Sequence, residues 1–332
     1  MSPEFWLYLL LVLSLCFDFL NGFNDSANVV ATMISSKAMS VRAALTLAAV
    51  ANLVGPFIFG VAVAKSIGNG VVENSALSIY VVLAALLGAS TWNLITWFAG
   101  IPSSSSHGLI GGICGASVVG CGLQAIKIKG LLTVFLALFA SPVIGFVFGW
   151  ICMGLVKRLL KNASPKADIG LKAGQLPTAI ALALSHGAND AQKTMGIITM
   201  GLVALGFQKE FEVPYWVILI SAIAISTGTA LGGWRIIQTL GGKFYRIRPI
   251  HSFSSQLASA LVILSASFLG GPVSTTQVVS MSILGAGAND KISKVRWSVL
   301  KEILYAWILT IPITALFSAL IYLIIKFITT SL

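Results

Sequence analysis

Long apolar runs separated by short polar connections fill this chain from end to end. A run of about 20 residues, folded as a helix, is long enough to cross a hydrocarbon core of roughly 30 Å. Ten apolar segments are predicted, at 4–36, 41–64, 76–100, 103–122, 131–156, 176–205, 214–232, 250–270, 272–287 and 298–328. They are read as helices, because an isolated span in lipid must satisfy its own backbone hydrogen bonds. A β-barrel would show shorter, alternating segments. Two of the ten, 103–122 and 272–287, are short, and each begins just after a proline. The expected fold class is an all-α integral membrane protein with two broken or re-entrant half-helix segments.

Composition agrees with this pattern. Of 332 residues, 57% are hydrophobic and only 9% charged, and the mean hydropathy is +0.95. Soluble domains carry about 25% charged residues. Met1 to Leu20 has no basic leader and carries Glu4 and Asp18, so it reads as a first span and not as a cleaved signal. The four cysteines form no C-x-x-C pair, which leaves neither a disulfide scaffold nor a zinc site to expect.

The net charge of +11 changes the picture only through its placement. With the N-terminus outside, fifteen basic residues fall in connections on one side and five on the other, and Lys193 lies within a span. That asymmetry fits the positive-inside rule. It predicts an inner-membrane, multi-pass protein with both termini extracytoplasmic. The charge needs the lipid bilayer as a partner, and no nucleic acid.

The two halves repeat. Gly22-Phe23-Asn24-Asp25 matches Gly187-Ala188-Asn189-Asp190, and Pro102-Ser103-Ser104-Ser105-Ser106-His107 matches Pro272-Val273-Ser274-Thr275-Thr276-Gln277. Thirteen residues after each proline comes Gly-Ala, at Gly115-Ala116 and Gly285-Ala286. Five segments per half is an odd number, so the second half would enter from the opposite side, as in inverted-topology transporters. The expected organisation is a first repeat over 1–156, a basic cytoplasmic linker over 157–175, and a second, inverted repeat over 176–332.

Charge within a span is costly, by roughly 2.5–3.5 kcal/mol on insertion scales. Asp25 and Asp190 accept that cost at matching positions. Asn24, Asp25 and Asn28 cluster on one helical side, and Asn189 and Asp190 provide the second set. Such hard oxygens suit Na⁺. A nearby glycine is expected to permit a helix break that frees carbonyl ligands. The alternative is a polar packing cluster, and the duplication argues against it. Asp18 has no counterpart in the second half.

The hydroxyl runs supply the opposite chemistry. A helix starting at Pro102 or Pro272 presents free N–H groups and partial positive charge, a natural anion site. Ser104, Ser105 and Ser106, with Ser274, Thr275 and Thr276, are the expected donors. Capping alone would explain either copy; the pairing favours a tetrahedral oxyanion. An anion beside two aspartates would be repelled unless a cation intervened. Anion and cation binding would then depend on each other.

At these residues the sequence resembles the inorganic phosphate transporter (Pit) family of sodium- or proton-coupled phosphate permeases. The duplicated signature reads here Gly22-Phe23-Asn24-Asp25-Ser26-Ala27-Asn28-Val29 and Gly187-Ala188-Asn189-Asp190-Ala191-Gln192-Lys193-Thr194. The resemblance implies alternating access, inorganic phosphate as substrate, and Na⁺ or H⁺ as the co-transported ion, with no other cofactor. The second copy departs from the signature at Gln192 and Lys193. Gln192 becomes a further candidate phosphate ligand. A homodimer is left open.

A third Gly-Ala-Asn-Asp, at Gly287 to Asp290, lies among Lys291 and Lys294 and reads as an interfacial turn or helix cap. Competing functions are transport of sulfate or metal-phosphate, a channel, and an intramembrane hydrolase using Ser106 or Ser185. Mirrored copies give a catalytic triad no advantage, so an enzyme is not expected.

Overall fold

The computed structural model describes residues 2–73, 78–164 and 166–331. The first two positions of the expected 76–100 segment, linker position 165, and residues 1 and 332 lie outside these. The chain is almost wholly helical. In order come α1 (Pro3–Ser35), α2 (Val41–Ile58), α3 (Ala62–Gly70), α4 (Ile79–Ala99), α5 (Ser105–Cys121) and α6 (Ile128–Leu159). They are followed by α7 (Ala167–Ala204), α8 (Tyr215–Leu231), α9 (Trp234–Gln238), α10 (Pro249–Phe268), α11 (Thr275–Lys291) and α12 (Trp297–Ser331).

Several starts are written in the sequence. Ser40, Ser78, Ser104 and Ser274 each accept a hydrogen bond from the backbone N–H three residues on, which satisfies one orphan donor of the helix they open. One stop differs from expectation, and one agrees with it: the 214–232 segment ends where α8 does. The 41–64 segment is broken: α2 ends at Ile58, and α3 begins after Gly60, whose φ is +73°. The matching break follows α8, where Gly232 has φ +70° and the chain bends by 62° into α9 and a π-turn at Thr239–Lys243. Glycine takes that backbone conformation without Cβ strain.

Conversely, α1 and α7 run unbroken through Gly22 and Gly187. The expected break at these glycines does not occur. Their role is close packing. A Cβ at Gly187 would lie 2.6 Å from the Cα of Asn52 on α2, and one at Gly22 would overlap the carbonyl of Ile225 on α8.

Helix packing comes in matched sets. α1 packs on α8 as α7 packs on α2; α5 packs on α12 as α11 packs on α6. α4 lies against α5 and α12, and α10 against α11 and α6. The halves therefore interleave.

Polarity is reversed relative to a soluble protein. Leu132, Leu136 and Val143 on α6 and Ile308 and Leu316 on α12 face outward, while Asp18, Asp25, Asp190 and Lys193 are buried. Among the described residues, five helices (α1, α2, α4, α6, α12) are long and apolar enough to cross a membrane, and the bent α8–α9 pair makes a sixth. α7 and α10 are long enough, but the serines of α10, and the acidic and basic residues of α7, dilute their apolar character. α5 is a shorter apolar helix of 17 residues, and α11 has the same length. The chain is a multi-pass membrane protein.

Candidate functional site

Asp25 lies near the middle of α1 and Asp190 near the middle of α7. Ligand atoms of Asp25, His186 and Asp190 all lie within 4.8 Å of one another, so the structure brings the two duplicated carboxylates together. The start of α11 closes over both. Thr276 Oγ1 donates to Asp25 Oδ1 at 2.7 Å, and Thr275 Oγ1 donates to Asp190 Oδ2 at 3.1 Å. Asn28 Nδ2 donates to Thr276 Oγ1 at 3.1 Å. The start of α5 arrives from the other half, where Ser103 and Ser105 line a small cavity with Asn21, Asn24, Asp25, Asn93 and Thr276. Both half-helix ends therefore meet at one place.

The oxygens there are unusual. Oδ1 of Asn21, Asn24, Asn28 and Asn189, and Oδ2 of Asp25, are buried and accept no hydrogen bond. Their amide nitrogens are engaged elsewhere: Asn24 to the Asn93 carbonyl, Asn21 to Asp190, and Asn189 to Ser267. Buried acceptors normally have a donor. A shell of unpartnered carboxylate and amide oxygens is the donor set a hard cation takes. The adjoining cavity of about 10 Å³ admits about one water-sized particle. A phosphate is larger, so the helix ends must part to admit one.

The two carboxylates differ in charge environment. Asp190 forms an ion pair with Lys193 on the next turn of α7, and Nε2 of His186 lies 3.2 Å from its other oxygen. His186 Nδ1 is 3.3 Å from Asn52 Oδ1, and Asn52 Nδ2 in turn donates to Thr229. All of these groups are fully buried. Among the described residues, Asp25 has no basic side chain in ion-pair contact. The second half thus carries its own cation, and the first does not.

Not every expected ligand faces this centre. Ser104 is engaged in capping α5, with its hydroxyl accepting from His107 N at 3.2 Å and contacting His107 Nδ1 at 2.7 Å. Ser274 caps α11 in the same way. Ser106 donates to the Val273 carbonyl at 3.0 Å and ties the two half-helix starts together. Gln192 Oε1 accepts from Val63 and Ala64 N–H, so it caps α3, and only its Nε2 is left without a partner. Of the expected donors, Ser105, Thr275 and Thr276 are the hydroxyls at the centre; Ser103, which also lines the cavity, pairs with Thr96. Asn21, Asn93 and His186 join them. Asn21 was within reach of sequence reasoning, because it precedes Asn24, Asp25 and Asn28 at helical spacing. Asp18, a turn earlier, is fully buried with both oxygens unpartnered.

A polar, charged interior at the meeting of two half-helices, inside an apolar exterior, defines an integral membrane protein with a buried site for charged or polar solutes. Residues 21–318 match the model of the phosphate transporter family. The chain is 44% identical over 324 residues to a Bacillus subtilis protein named "Probable low-affinity inorganic phosphate transporter", covering 96% of this chain and 97% of that one. A Rhizobium meliloti protein of the same name is 42% identical, with 94% of each chain covered. A solved structure titled "The sodium-dependent phosphate transporter" superposes with a TM-score of 0.89 at 26% identity, covering 97% of this chain and 99% of that one. This chain belongs to the phosphate transporter family, and it is a transporter, not an enzyme.

Proposed function

We propose that this protein imports inorganic phosphate across the cell membrane together with Na⁺, by alternating access between two inverted repeats, 1–156 and 176–332, joined by the basic linker 157–175. The single observation that carries the cation is the set of buried, unpartnered oxygens on Asn21, Asn24 and Asp25, which line one small cavity where, among the described residues, the carboxylate has no basic side chain in ion-pair contact. The unpartnered oxygens of Asn28 and Asn189 add to the same class of donor. The name of the solved relative supports sodium as the ion.

Phosphate binds between the starts of α5 and α11. The first-turn N–H groups there have no intrahelical acceptor, and Ser105, Thr275 and Thr276 add hydroxyl donors. Because Thr275 and Thr276 also hold Asp190 and Asp25, a cation that draws these carboxylates away frees both hydroxyls for the anion. Cation and phosphate thus favour each other's binding, the basis of symport. The matched helix packing supports the inverted repeat. The distribution of basic residues supports a cytoplasmic linker with both termini outside.

A second reading couples transport to protons. It rests on the buried His186–Asp190–Lys193 cluster, a set of contacting ionisable groups that balances its charge without a metal ion. Phosphate uptake into proteoliposomes, with sodium and pH gradients imposed separately, tests both. Uptake driven by the sodium gradient alone supports Na⁺ symport; uptake driven only by the pH gradient replaces it with the second reading; uptake without either rejects coupling. Excess unlabelled phosphate must suppress the signal, and suppression by sulfate alone would overturn the substrate.

A further inference from the structure

A second cavity, of about 600 Å³, shares no lining residue with the site at Asp25. It lies between the chain leading into α10 and the end of α11. Its walls carry Arg246, Arg248, Lys291, Lys294 and Arg296, all exposed, against one carboxylate, Asp290. That carboxylate is already engaged: Arg248 bonds it at 2.7 Å, His251 Nε2 lies 3.3 Å away, and Lys157 is at 3.6 Å. Among the described residues, the side chains of Arg246, Lys291, Lys294 and Arg296 pair with no acid. Membrane topology accounts for cations on this face. It does not account for their gathering around a concavity whose only acid is saturated.

We infer that this cavity binds a multiply charged, phosphate-bearing anion, supplied either by the headgroup of an anionic phospholipid or by a soluble polyphosphate. Several like charges around one cleft favour an anion of high charge. Arginine forks match phosphate oxygens in pairs, and lysines add point charges. The volume lies in the range of small-molecule sites and exceeds what one orthophosphate fills.

The walls connect to the transport centre. Tyr245 Oη donates to the Ile283 carbonyl of α11 at 2.6 Å, and the Phe244 carbonyl accepts from Arg296 N at 3.0 Å. The other end of α11 carries Thr275 and Thr276. An anion bridging residues 246–248 to 291–296 fastens α11 at this end and slows uptake. That regulatory effect rests on the proposed transport cycle; the binding does not.

The test uses purified full-length protein and the triple variant Arg246→Gln/Lys294→Gln/Arg296→Gln, whose positions are exposed and outside the transport centre. Thermophoresis in uncharged detergent measures binding of inorganic tripolyphosphate. Native mass spectrometry, after reconstitution in phosphatidylcholine alone or mixed with cardiolipin, measures retained lipid. Wild-type protein binds at least one probe, and the variant loses roughly tenfold or more of that affinity. Retention of cardiolipin alone assigns the headgroup; tripolyphosphate binding assigns a soluble ligand. Equal binding by the variant, or wild-type binding of neither probe, overturns the site. An unchanged melting temperature, with unchanged phosphate uptake in phosphatidylcholine vesicles, shows that the variant is folded and separates this result from any failure of the transport reading.

Discussion

Thr276 Oγ1 donates to Asp25 Oδ1 at 2.7 Å across 251 positions of sequence, and so joins the start of α11 to the middle of α1. Thr275 makes the corresponding contact to Asp190 on α7. One residue pair on one half-helix therefore touches both duplicated carboxylates. The donors proposed for the anion are the same donors that hold the acids.

Thr275→Val and Thr276→Val keep the side-chain shape and remove the hydroxyl. A hydrogen bond to a charged group contributes about 1.5–3 kcal/mol. Each variant is expected to raise the KM for phosphate by roughly tenfold or more and, because it leaves a buried carboxylate oxygen without its donor, to lower the melting temperature as well. Ser105→Ala is expected to act in the same direction. Initial uptake rates across a phosphate series check this; a KM equal to wild type in all three removes the helix-end site.

Asp25→Asn keeps the size and one oxygen of the residue that has no basic partner. It is expected to abolish gradient-driven uptake while the protein still elutes as a folded species on size exclusion. Normal coupled uptake would deny this carboxylate a role in holding the cation.

Lys193→Met leaves the buried Asp190 with His186 as its one basic neighbour, beside the donors Thr275 and Asn21. Removing one partner of a buried ion pair is destabilising, by about 3–5 kcal/mol. The variant should melt well below wild type in detergent, and adding Asp190→Asn should recover much of the loss. If Lys193→Met melts like wild type, Lys193 is not the counter-ion. The same loss with no recovery in the double variant would assign the effect to packing.

Gly22→Val and Gly187→Val place a side chain where α1 meets α8 and α7 meets α2. Both clashes are with backbone, which has little room to give. Each is expected to reduce the yield of folded protein severely, measured by fluorescence-detected size exclusion. A well-folded, inactive variant would instead support the helix-breaking role that the sequence suggested.

Much of this architecture is legible in the chain. Hydropathy delimits the helices because lipid forces each span to be apolar outside and internally hydrogen-bonded. The duplicated Asn-Asp and Pro-hydroxyl motifs mark the centre, and the structure brings Asp25, Asp190, Ser105, Thr275 and Thr276 to it. The function of Gly22 and Gly187 was not legible, because a glycine in an apolar run reads equally as a hinge or as a close contact. The break at Gly60 was hidden for the same reason, whereas the segment expected over 214–232 ends at the break after α8. Gln192 illustrates a third limit: its cap on α3 is a contact across 129 residues, and no local pattern announces it. Lys193 lies one turn beyond Asp190, so their pairing could be read from helical spacing. Burial of both is what gives that pair its weight.

The most direct test of the account is reciprocal binding. Phosphate affinity of the purified protein, measured calorimetrically at fixed pH with Na⁺ replaced stepwise by choline, should fall by roughly tenfold or more as Na⁺ is withdrawn, and Na⁺ affinity should fall by the same factor as phosphate is withdrawn. Phosphate affinity that stays constant across the sodium series would contradict it.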